Sequence, residues 1–433
     1  MSLPQYTFFV GTLGCKLNIY ESEAIAGQLT AAGWTETKDM CAAQVILINT
    51  CTVTSKADAK CRNFIRKARK AAPHAIIAAA GCMVTSDPDA AKAMPEIDIL
   101  LDNQNKSRIA EAIAAYQQSH SQTWYDCGCD CRLDYNMQNL SQHSRAFIKV
   151  EDGCTNFCSY CRIPYARGAN VSRPINDILD EVCHLTEIGF REFVITGVNT
   201  GSYSVAEGNF THLLDVLTST FTECRFRVSS IEPQYVDDDF LAVFARQNVC
   251  AHLHIPIQSG SDKILRLMER KYTIAEFEAI IAKVRAAKPN LFLATDIIVG
   301  FPSEDETAWQ EIIDTVRRIH FTYLHVFGFS PRQGTKAYTF GNKTPERIRD
   351  ERVTAIQTIA NENTQTYRAE NVGKVTTVIV EQPHIEEGYY TGKTDNYLDI
   401  RIPSDKPLQQ RAMYQVRLSM DENGILWGNV INS

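Results

Sequence analysis

Three cysteines fall within one short stretch, GCTNFCSYCR, at Cys154, Cys158 and Cys161. Thiols this close suit a metal centre. A closed structural site such as tetrahedral zinc takes four ligands, yet the next cysteine downstream is Cys183. An iron–sulfur cube is usually held by four thiolates, so three leave one iron with an open position for another ligand. A second set, Cys15, Cys51 and Cys82, is spread wider, each thiol following an apolar run. A third, Cys127, Cys129 and Cys131, alternates in CGCDC. That pattern could bind a soft metal, although alternating thiols in a polar linker are more often incidental.

The 433-residue chain is long enough for two to three domains. Its 44% hydrophobic and 22% charged residues are ordinary for a soluble globular protein. No apolar run approaches the roughly 18–20 residues that span a bilayer. MSLPQYTFFVGTLGCK lacks a basic region followed by a long apolar stretch, so no signal peptide is expected. The expectation is a cytoplasmic protein with no membrane partner. Fourteen cysteines in a reducing compartment are poor disulfide candidates and better metal ligands, catalytic thiols or core residues. A net charge of −7 argues against indiscriminate nucleic-acid binding but leaves room for a local basic face.

The elements that must position these thiols are legible as an α/β pattern. YTFFV, QVILINT (44–50) and AIIAAAG (75–81) read as strands, and residues 20–33, 55–72 and 106–118 read as helices. Such alternation implies a doubly wound, parallel α/β domain. Cys15 follows its first strand, Cys51 ends the second and Cys82 the third, so these thiols could converge on one sheet edge, where ligands collect. Residues 118–142 are polar and aperiodic, a linker or peripheral strand pair. From 146 six further strand runs alternate with helices, ending in the strongly amphipathic EDETAWQEIIDTVRRI. Six units in about 180 residues suit a partial (β/α)6 barrel better than an eightfold one, which needs about 250. A helix over 344–370 leads into residues 371–433, whose short alternating runs and turns predict a small all-β barrel of about five strands.

Cys-x3-Cys-x2-Cys, with Tyr160 before the last cysteine and a six-unit barrel around it, resembles the radical S-adenosylmethionine superfamily. There the open iron chelates the methionine moiety, and an electron cleaves the sulfonium to a 5′-deoxyadenosyl radical. The resemblance narrows to the methylthiotransferases, on TLGCKLNIYESE, INTCTV, AAGCM, VEDGCTNFCSYCRIPYARG, TGVNTGSY, IPIQSGSDKILRLMERKYT and TDIIVGFPSEDE. It covers essentially the whole chain. It implies an N-terminal methylthiotransferase domain over 1–117, a linker over 118–139, a radical core over 140–370 and a TRAM-type barrel over 371–433.

By that resemblance Cys154, Cys158 and Cys161 hold one 4Fe-4S cluster, and Cys15, Cys51 and Cys82 an auxiliary 4Fe-4S cluster carrying the sulfur to be inserted. One S-adenosylmethionine methylates that sulfur, and a second yields the radical. TLGCKLNIYESEA with INTCTVTSKADAKCRNFIRKA resembles the branch acting on N6-threonylcarbamoyladenosine at position 37, in the anticodon loop of tRNA. The isopentenyladenosine branch reads closer to YGCQMN, and the branch acting on a ribosomal-protein aspartate closer to LGCPKN. Both remain alternatives, as does a non-catalytic iron–sulfur RNA-binding sensor. GFPSEDE and MERKYT depart from the commoner GFPGE and MNR, without touching a cluster ligand. An electron donor such as flavodoxin or ferredoxin is implied. The sulfur donor is left open, and CGCDC has no counterpart in the family pattern.

Polar groups at barrel strand ends are candidates for holding S-adenosylmethionine: Thr196 and Gly197, Glu232, Gln258 and Ser259, and Asp296. Tyr160 and Phe301 could flank the adenine. Glu232 and Asp296 are equally suited to salt bridges inside the barrel, and neither His252 nor His254 makes a convincing catalyst. KADAKCRNFIRKARK carries seven cations against one Asp. With Ala57, Cys61, Phe64, Ile65 and Ala68 inward, its Lys56, Lys60, Arg62, Arg66, Lys67, Arg69 and Lys70 form a candidate phosphate-contacting face. Tyr389, Tyr390, Tyr397 and Trp427 of the last module could stack on unpaired bases, core packing being at least as fitting for Trp427.

Overall fold

The computed structural model describes residues 6–135 and 143–431. Its contacts divide the chain into two compact units. One comprises Met1–Ser141, Glu151–Arg173 and Ser330–Tyr338, and the other Gln142–Val150, Pro174–Phe329 and Thr339–Ser433.

The first unit is built on a six-stranded parallel sheet. In chain order it contains β1 (Thr7–Thr12), α1 (Lys16–Ala31), β2 (Thr35–Glu36), β3 (Val45–Thr50), α2 (Ser55–Ala71), β4 (Ile76–Gly81), α3 (Cys82–Ser86), α4 (Pro88–Lys92), β5 (Ile99–Leu101), α5 (Ile109–Ser119) and β6 (Thr123–Tyr125). The strand order is β2-β1-β3-β4-β5-β6. VILINT is buried at every residue, as a central parallel strand covered on both faces requires. Thr54 caps α2 by accepting from the Ala57 N–H. Cys61, Ile65 and Ala68 turn inward from α2 while Phe64 and Ala57 pack at the margin of the same core.

Two differences from the sequence reading stand out. Helix α1 begins at Lys16 rather than near residue 20, directly after Cys15. Within 118–142, read as a linker or peripheral strand pair, a single edge strand forms instead of a pair: Thr123–Tyr125 runs parallel to Ile99–Leu101. Both are three residues long, too short to carry a pattern. Residues 136–142 of the expected linker lie outside the described residues.

The second unit holds the six barrel strands: β7 (Ala146–Lys149) and, beyond the short first-unit elements β8 (Glu151–Asp152), α6 (Ile163–Arg167) and β9 (Val171–Ser172), β10 (Glu192–Thr196), β11 (Ser204–Val205), β12 (Gly208–Asn209), β13 (Arg225–Val228), β14 (His252–His254), β15 (Phe292–Val299) and β16 (Tyr323–Gly328). β11 and β12 form a separate ribbon. Parallel runs β7-β10-β13 and β14-β15-β16 are joined by a bridge between Phe226 and Val249. Helices including Ile175–Glu187, Phe210–Thr220, Ile274–Ala287 and Glu306–Ile319 connect them, as a partial (β/α)6 barrel requires. A 25-residue helix, Glu346–Glu370, leads to a closed five-stranded barrel: Val375–His384, Tyr389–Thr394, Asp399–Pro403, Leu426–Val430 and Met413–Met420 in spatial order. Val378, Ile400, Val416 and Leu418 fill it. Among the described residues no helix is long and apolar enough to cross a membrane.

Candidate active site and thiol centres

β1, β3 and β4 lie side by side in register, Thr12 opposite Asn49 and Thr50 opposite Gly81. Their carboxyl ends therefore bring Cys15, Cys51 and Cys82 to one edge. Cys15 stands at the N-cap of the 16-residue α1. Gly14, at φ +112°, occupies a point where a Cβ would sit 2.8 Å from Cys51 Cβ and 3.0 Å from its Sγ. Only glycine allows the Cys15 loop to approach this closely. Burial pushes the Cys51 thiol up to about 12; a backbone hydrogen bond from Val53 pulls the other way, and nearby Cys82 and Cys15 add to the rise. A thiolate there needs a cation against it, which is what a metal ligand acquires. Cys61, the inward thiol of α2, exchanges two 3.3 Å hydrogen bonds with the Cys51 backbone. It positions Cys51 from within the core.

The second triad shares this unit. β8 and β9 pair as Glu151–Ser172 and Asp152–Val171, closing the base of the loop that carries Cys154, Cys158 and Cys161. At Gly153, φ +91°, a Cβ would lie 2.2 Å from Ala169 O. The Cys154 N–H donates to Gly168 O at 3.0 Å, and the Cys161 N–H to Cys158 O at 2.9 Å. Cys158 is buried, and Cys154 and Cys161 are half-buried. α6 follows this loop and packs against α3, the helix that Cys82 begins.

A buried polar chain, missed in the sequence, ties the two triads together. Arg167, near the end of α6, pairs with Asp152 at 2.9 Å and Glu21 at 3.1 Å, and donates to Asn18 Oδ1 at 2.7 Å. The Asn18 amide donates to Leu13 O at 2.6 Å and Thr50 O at 3.0 Å. Lys106 pairs with Glu21 and donates to Asn103 Oδ1 at 2.9 Å. Asn103 Nδ2 in turn lies 3.4 Å from Cys82 Sγ and 2.6 Å from Ala166 O. Burial opposes the Arg167 charge, but Asp152, Glu21, Cys82 and Cys15 hold its pKa above the ordinary value. Asn18, Glu21, Asp152 and Arg167 stand in the quoted stretches GCKLNIYESE, VEDGC and IPYARG, whereas Asn103 and Lys106 stand in DNQNKS, which carried no signal.

Beside the triads opens a cavity of about 580 Å3, lined by neighbours of three cysteines: Thr52, Met83 and Arg162. Arg62 and Arg332 add two more guanidiniums. Arg332 donates to Thr52 Oγ1 at 2.7 Å and to Asp58 Oδ2 at 2.5 Å. Buried polar atoms among the described residues here lack partners: Arg162 Nε, Arg332 Nε, Asp58 Oδ1 and Ser86 Oγ. The thiol loop and the α6 that follows it display Phe157 and Tyr165, each 51% exposed, in an edge-to-face pair at 5.8 Å. Neither the cavity arginine Arg332 nor this aromatic pair was singled out from sequence. Its signal was the polar SPRQGT following the sixth barrel strand.

Of the basic face on α2, Lys56, Lys60, Arg66, Lys67 and Lys70 are exposed. Arg62 is half-buried and faces the cavity. Arg69 corrects the expectation: it is drawn inward, ion-paired with Asp98 at 2.5 Å and donating to Pro73 O, Ala75 O and Glu96 O, so four of its five donors are already engaged.

In the second unit Thr196 ends β10 and Gly197 follows it, while Gln258 and Ser259 follow β14, Gln258 at φ +62° and bridged to Ile297. Glu232 is engaged by Arg270, and Asp296 lies 3.2 Å from His254 Nε2. Phe301 corrects a second expectation. It is 0% exposed and packs edge-on against Phe329 and Phe340, so its ring is core rather than an adenine flank. Sequence reading missed Glu304, a buried carboxylate that accepts from the Gly300 and Phe301 N–H groups and pairs with Arg352 at 2.7 Å. It pins the GFPSE turn. Tyr160 is half-buried in the first unit. Tyr397 packs at a tilt against His252, ring centroids 4.3 Å apart, and lies under Arg227 and Lys393, so its ring is already engaged within the protein. Tyr389 and Trp427 pack edge-to-face with Arg401 over both rings, and Tyr390 packs on the barrel core.

Residues 148–316 match the radical SAM superfamily, and residues 7–102 match the uncharacterized protein family UPF0004. The fold is shared with the radical S-adenosylmethionine methyltransferase TsrM from Kitasatospora setae, solved with cobalamin and a [4Fe-4S] cluster, at a TM-score of 0.58, 13% identity and 75% coverage of each chain. The site and fold thus define a radical S-adenosylmethionine enzyme. The chain is 34% identical to the threonylcarbamoyladenosine tRNA methylthiotransferase MtaB of Chlamydia pneumoniae over 98% of each protein. Against MtaB of Thermotoga maritima it is 34% identical over 97% of this chain and 96% of that one. It is 31% identical to the tRNA-2-methylthio-N(6)-dimethylallyladenosine synthase of Burkholderia mallei (strain SAVP1), covering 94% and 93%. The chain belongs to the MtaB-type family of radical SAM tRNA methylthiotransferases. Iron–sulfur and S-adenosylmethionine chemistry, acting on tRNA, comes with that membership.

Proposed function

We propose that this protein inserts a methylthio group at C2 of N6-threonylcarbamoyladenosine 37 in the anticodon loop of tRNA. In this reading Cys154, Cys158 and Cys161 hold one 4Fe-4S cluster and Cys15, Cys51 and Cys82 a second. S-adenosylmethionine is held at the strand ends, with Thr196, Gly197, Gln258 and Ser259 in reach. The divisions 1–117, 118–139, 140–370 and 371–433 correspond to methylthiotransferase domain, linker, radical core and TRAM-type barrel. Bound there, the clusters and S-adenosylmethionine supply the one-electron chemistry and the sulfur needed to functionalise an unactivated aromatic C–H bond. The electron comes from a small carrier such as flavodoxin or ferredoxin.

The residues of the chain position and exclude water. Asn18, Arg167, Glu21, Lys106 and Asn103 fix the thiol-bearing loops in a buried chain, so the first triad is preorganised. Phe157 and Tyr165 offer exposed faces on which an unstacked base can rest. Lys56, Lys60, Arg66, Lys67 and Lys70 contact phosphates from α2.

The choice of substrate rests on one observation: the cavity beside the triads carries Arg62, Arg162 and Arg332, with an unpartnered guanidinium Nε on each of the latter two. A threonylcarbamoyl group ends in a carboxylate, which a guanidinium recognises through charge-assisted hydrogen bonds. A dimethylallyl group would leave those donors buried and unpaired, at about 1–3 kcal/mol each. The test is mass spectrometry of tRNA nucleosides from cells with and without the protein. Loss of 2-methylthio-N6-threonylcarbamoyladenosine alone is the expected result. Loss of the isopentenyl analogue alone overturns the substrate while keeping the chemistry, and no change in either overturns tRNA position 37.

A further inference from the structure

Outside the two triads, Cys127, Cys129 and Cys131 bring three Sγ atoms together: 2.8 Å between the first two, 3.4 Å between the first and third, and 3.2 Å between the last two. They follow β6, the edge strand, at the same carboxyl edge of the sheet as the other strand-end cysteines.

The loop is held in this shape. The Cys127 N–H donates to Asn105 Oδ1 at 3.0 Å and the Cys131 N–H to Gln104 O at 2.9 Å. Ser107 Oγ donates to Cys131 O at 3.2 Å, and the Gly128 N–H to Asp126 Oδ1 at 2.8 Å. Gly128, at φ +74°, makes the turn between the first two thiols and has open space around it. Arg108 Nε lies 3.3 Å from Cys131 Sγ, and Arg108 Nη2 lies 2.6 Å from Asp134. Burial pushes the Cys131 thiol up to about 12, and the Arg108 guanidinium, a donor only, is aimed at it and pulls the other way.

We propose that Cys127, Cys129 and Cys131 form a third metal site, taking a single zinc ion separate from both iron–sulfur triads. Three thiolates at zinc–sulfur distances of about 2.3 Å stand roughly 3.8 Å apart in a tetrahedron, which small outward rotations of these side chains supply. A cube places each thiolate on a different iron and spreads its ligands further. Alternating residues of one tight turn cannot spread in that way. Three thiolates and one zinc carry a net charge of −1, which Arg108 offsets. Zinc binding displaces the thiol protons to solvent. Cys129 is exposed, so the fourth position faces water. Zinc neither gives nor takes an electron, so a zinc here braces the sheet edge without competing in the radical chemistry.

The test uses full-length holoprotein prepared anaerobically, with zinc, iron and copper counted by mass spectrometry after dialysis against a chelator. One zinc per chain is expected. Cys127→Ser and Cys129→Ser should each lower zinc at least tenfold, with iron content and S-adenosylmethionine cleavage unchanged. Added zinc or cadmium should rebind to the apo site, the cadmium giving a thiolate-type NMR shift. The proposal fails if the variants lose iron or copper instead, if the wild type holds no zinc even after anaerobic titration, or if thiol counting finds two of the three joined in a disulfide.

Discussion

Each unit buries a network of charges, and the two are built differently. In the first, Arg167 and Lys106 face Glu21 and Asp152, all with side chains no more than 1% exposed, and the cationic side is also in reach of thiols. In the second, Glu192 faces Arg225 at 2.7 Å, Arg227 at 2.8 Å and Arg145 at 3.9 Å. The surplus cations there donate to carbonyls of the C-terminal barrel: Arg225 to Thr377 O and Lys393 O, Arg227 to Thr394 O and Asp395 O. One network balances its own charge around thiol loops. The other fastens one β-module to another. The difference teaches that a buried ion cluster is not itself a sign of chemistry. What its members touch decides.

That contrast can be broken experimentally. Arg167→Met strips two buried carboxylates of their partner and should cost about 3–5 kcal/mol in denaturant unfolding. It should also lower the iron bound per chain. Retention of full iron at reduced stability would make this network a scaffold like the other. Glu192→Gln should cost roughly 3 kcal/mol at neutral pH with iron unchanged. Burial opposes the Glu192 charge, yet Arg225, Arg227 and Arg145 hold its pKa down at about 2, against 4.5 for an ordinary glutamate. The folded state therefore prefers the carboxylate. This stability is fully present above pH 4.5 and is lost as pH falls toward 2. The variant should show a shallower acid limb over that window, and an identical slope to wild type would remove the ionised Glu192 from the account.

Smaller effects sharpen the comparison at the cavity. Arg332→Gln should reduce kcat/KM on tRNA carrying threonylcarbamoyladenosine by about ten- to a hundredfold, the loss expected for one charged hydrogen bond. Its S-adenosylmethionine cleavage should persist. Equal turnover would show that cations beside the thiols do not address the substrate. Smallest is Lys67→Ala on the outer face of α2: a few-fold weaker tRNA binding, with the salt dependence flattened by roughly 0.7–0.9 in log–log slope.

Much of this was readable along the chain. The parallel sheet, the six barrel strands and the five-stranded closing barrel follow from apolar periodicity, because their strands bury apolar residues either continuously, as in Val45–Thr50, or on alternate positions. The short Ile99–Leu101 and Thr123–Tyr125 were not, since three residues carry no period. Charged side chains were hardest to assign. Arg69 and Lys67 look alike in RKARK, but the helix turns one toward Asp98 and leaves the other in solvent. Phe301 looked available beside a glycine and is wholly enclosed.

The sequence by itself determined the order of the elements, the cysteine spacing and hence the kind of chemistry, because those depend on local pattern and residue type. Only the tertiary structure decided which charges neighbour the thiols, since Asn18, Glu21, Lys106, Asp152 and Arg167 come from segments up to 149 residues apart. The same holds for CGCDC, whose three sulfurs converge because residues 104–108 hold the turn from outside it. Chain folding, not spacing, sets the partners of a buried charge, and burial makes those partners matter.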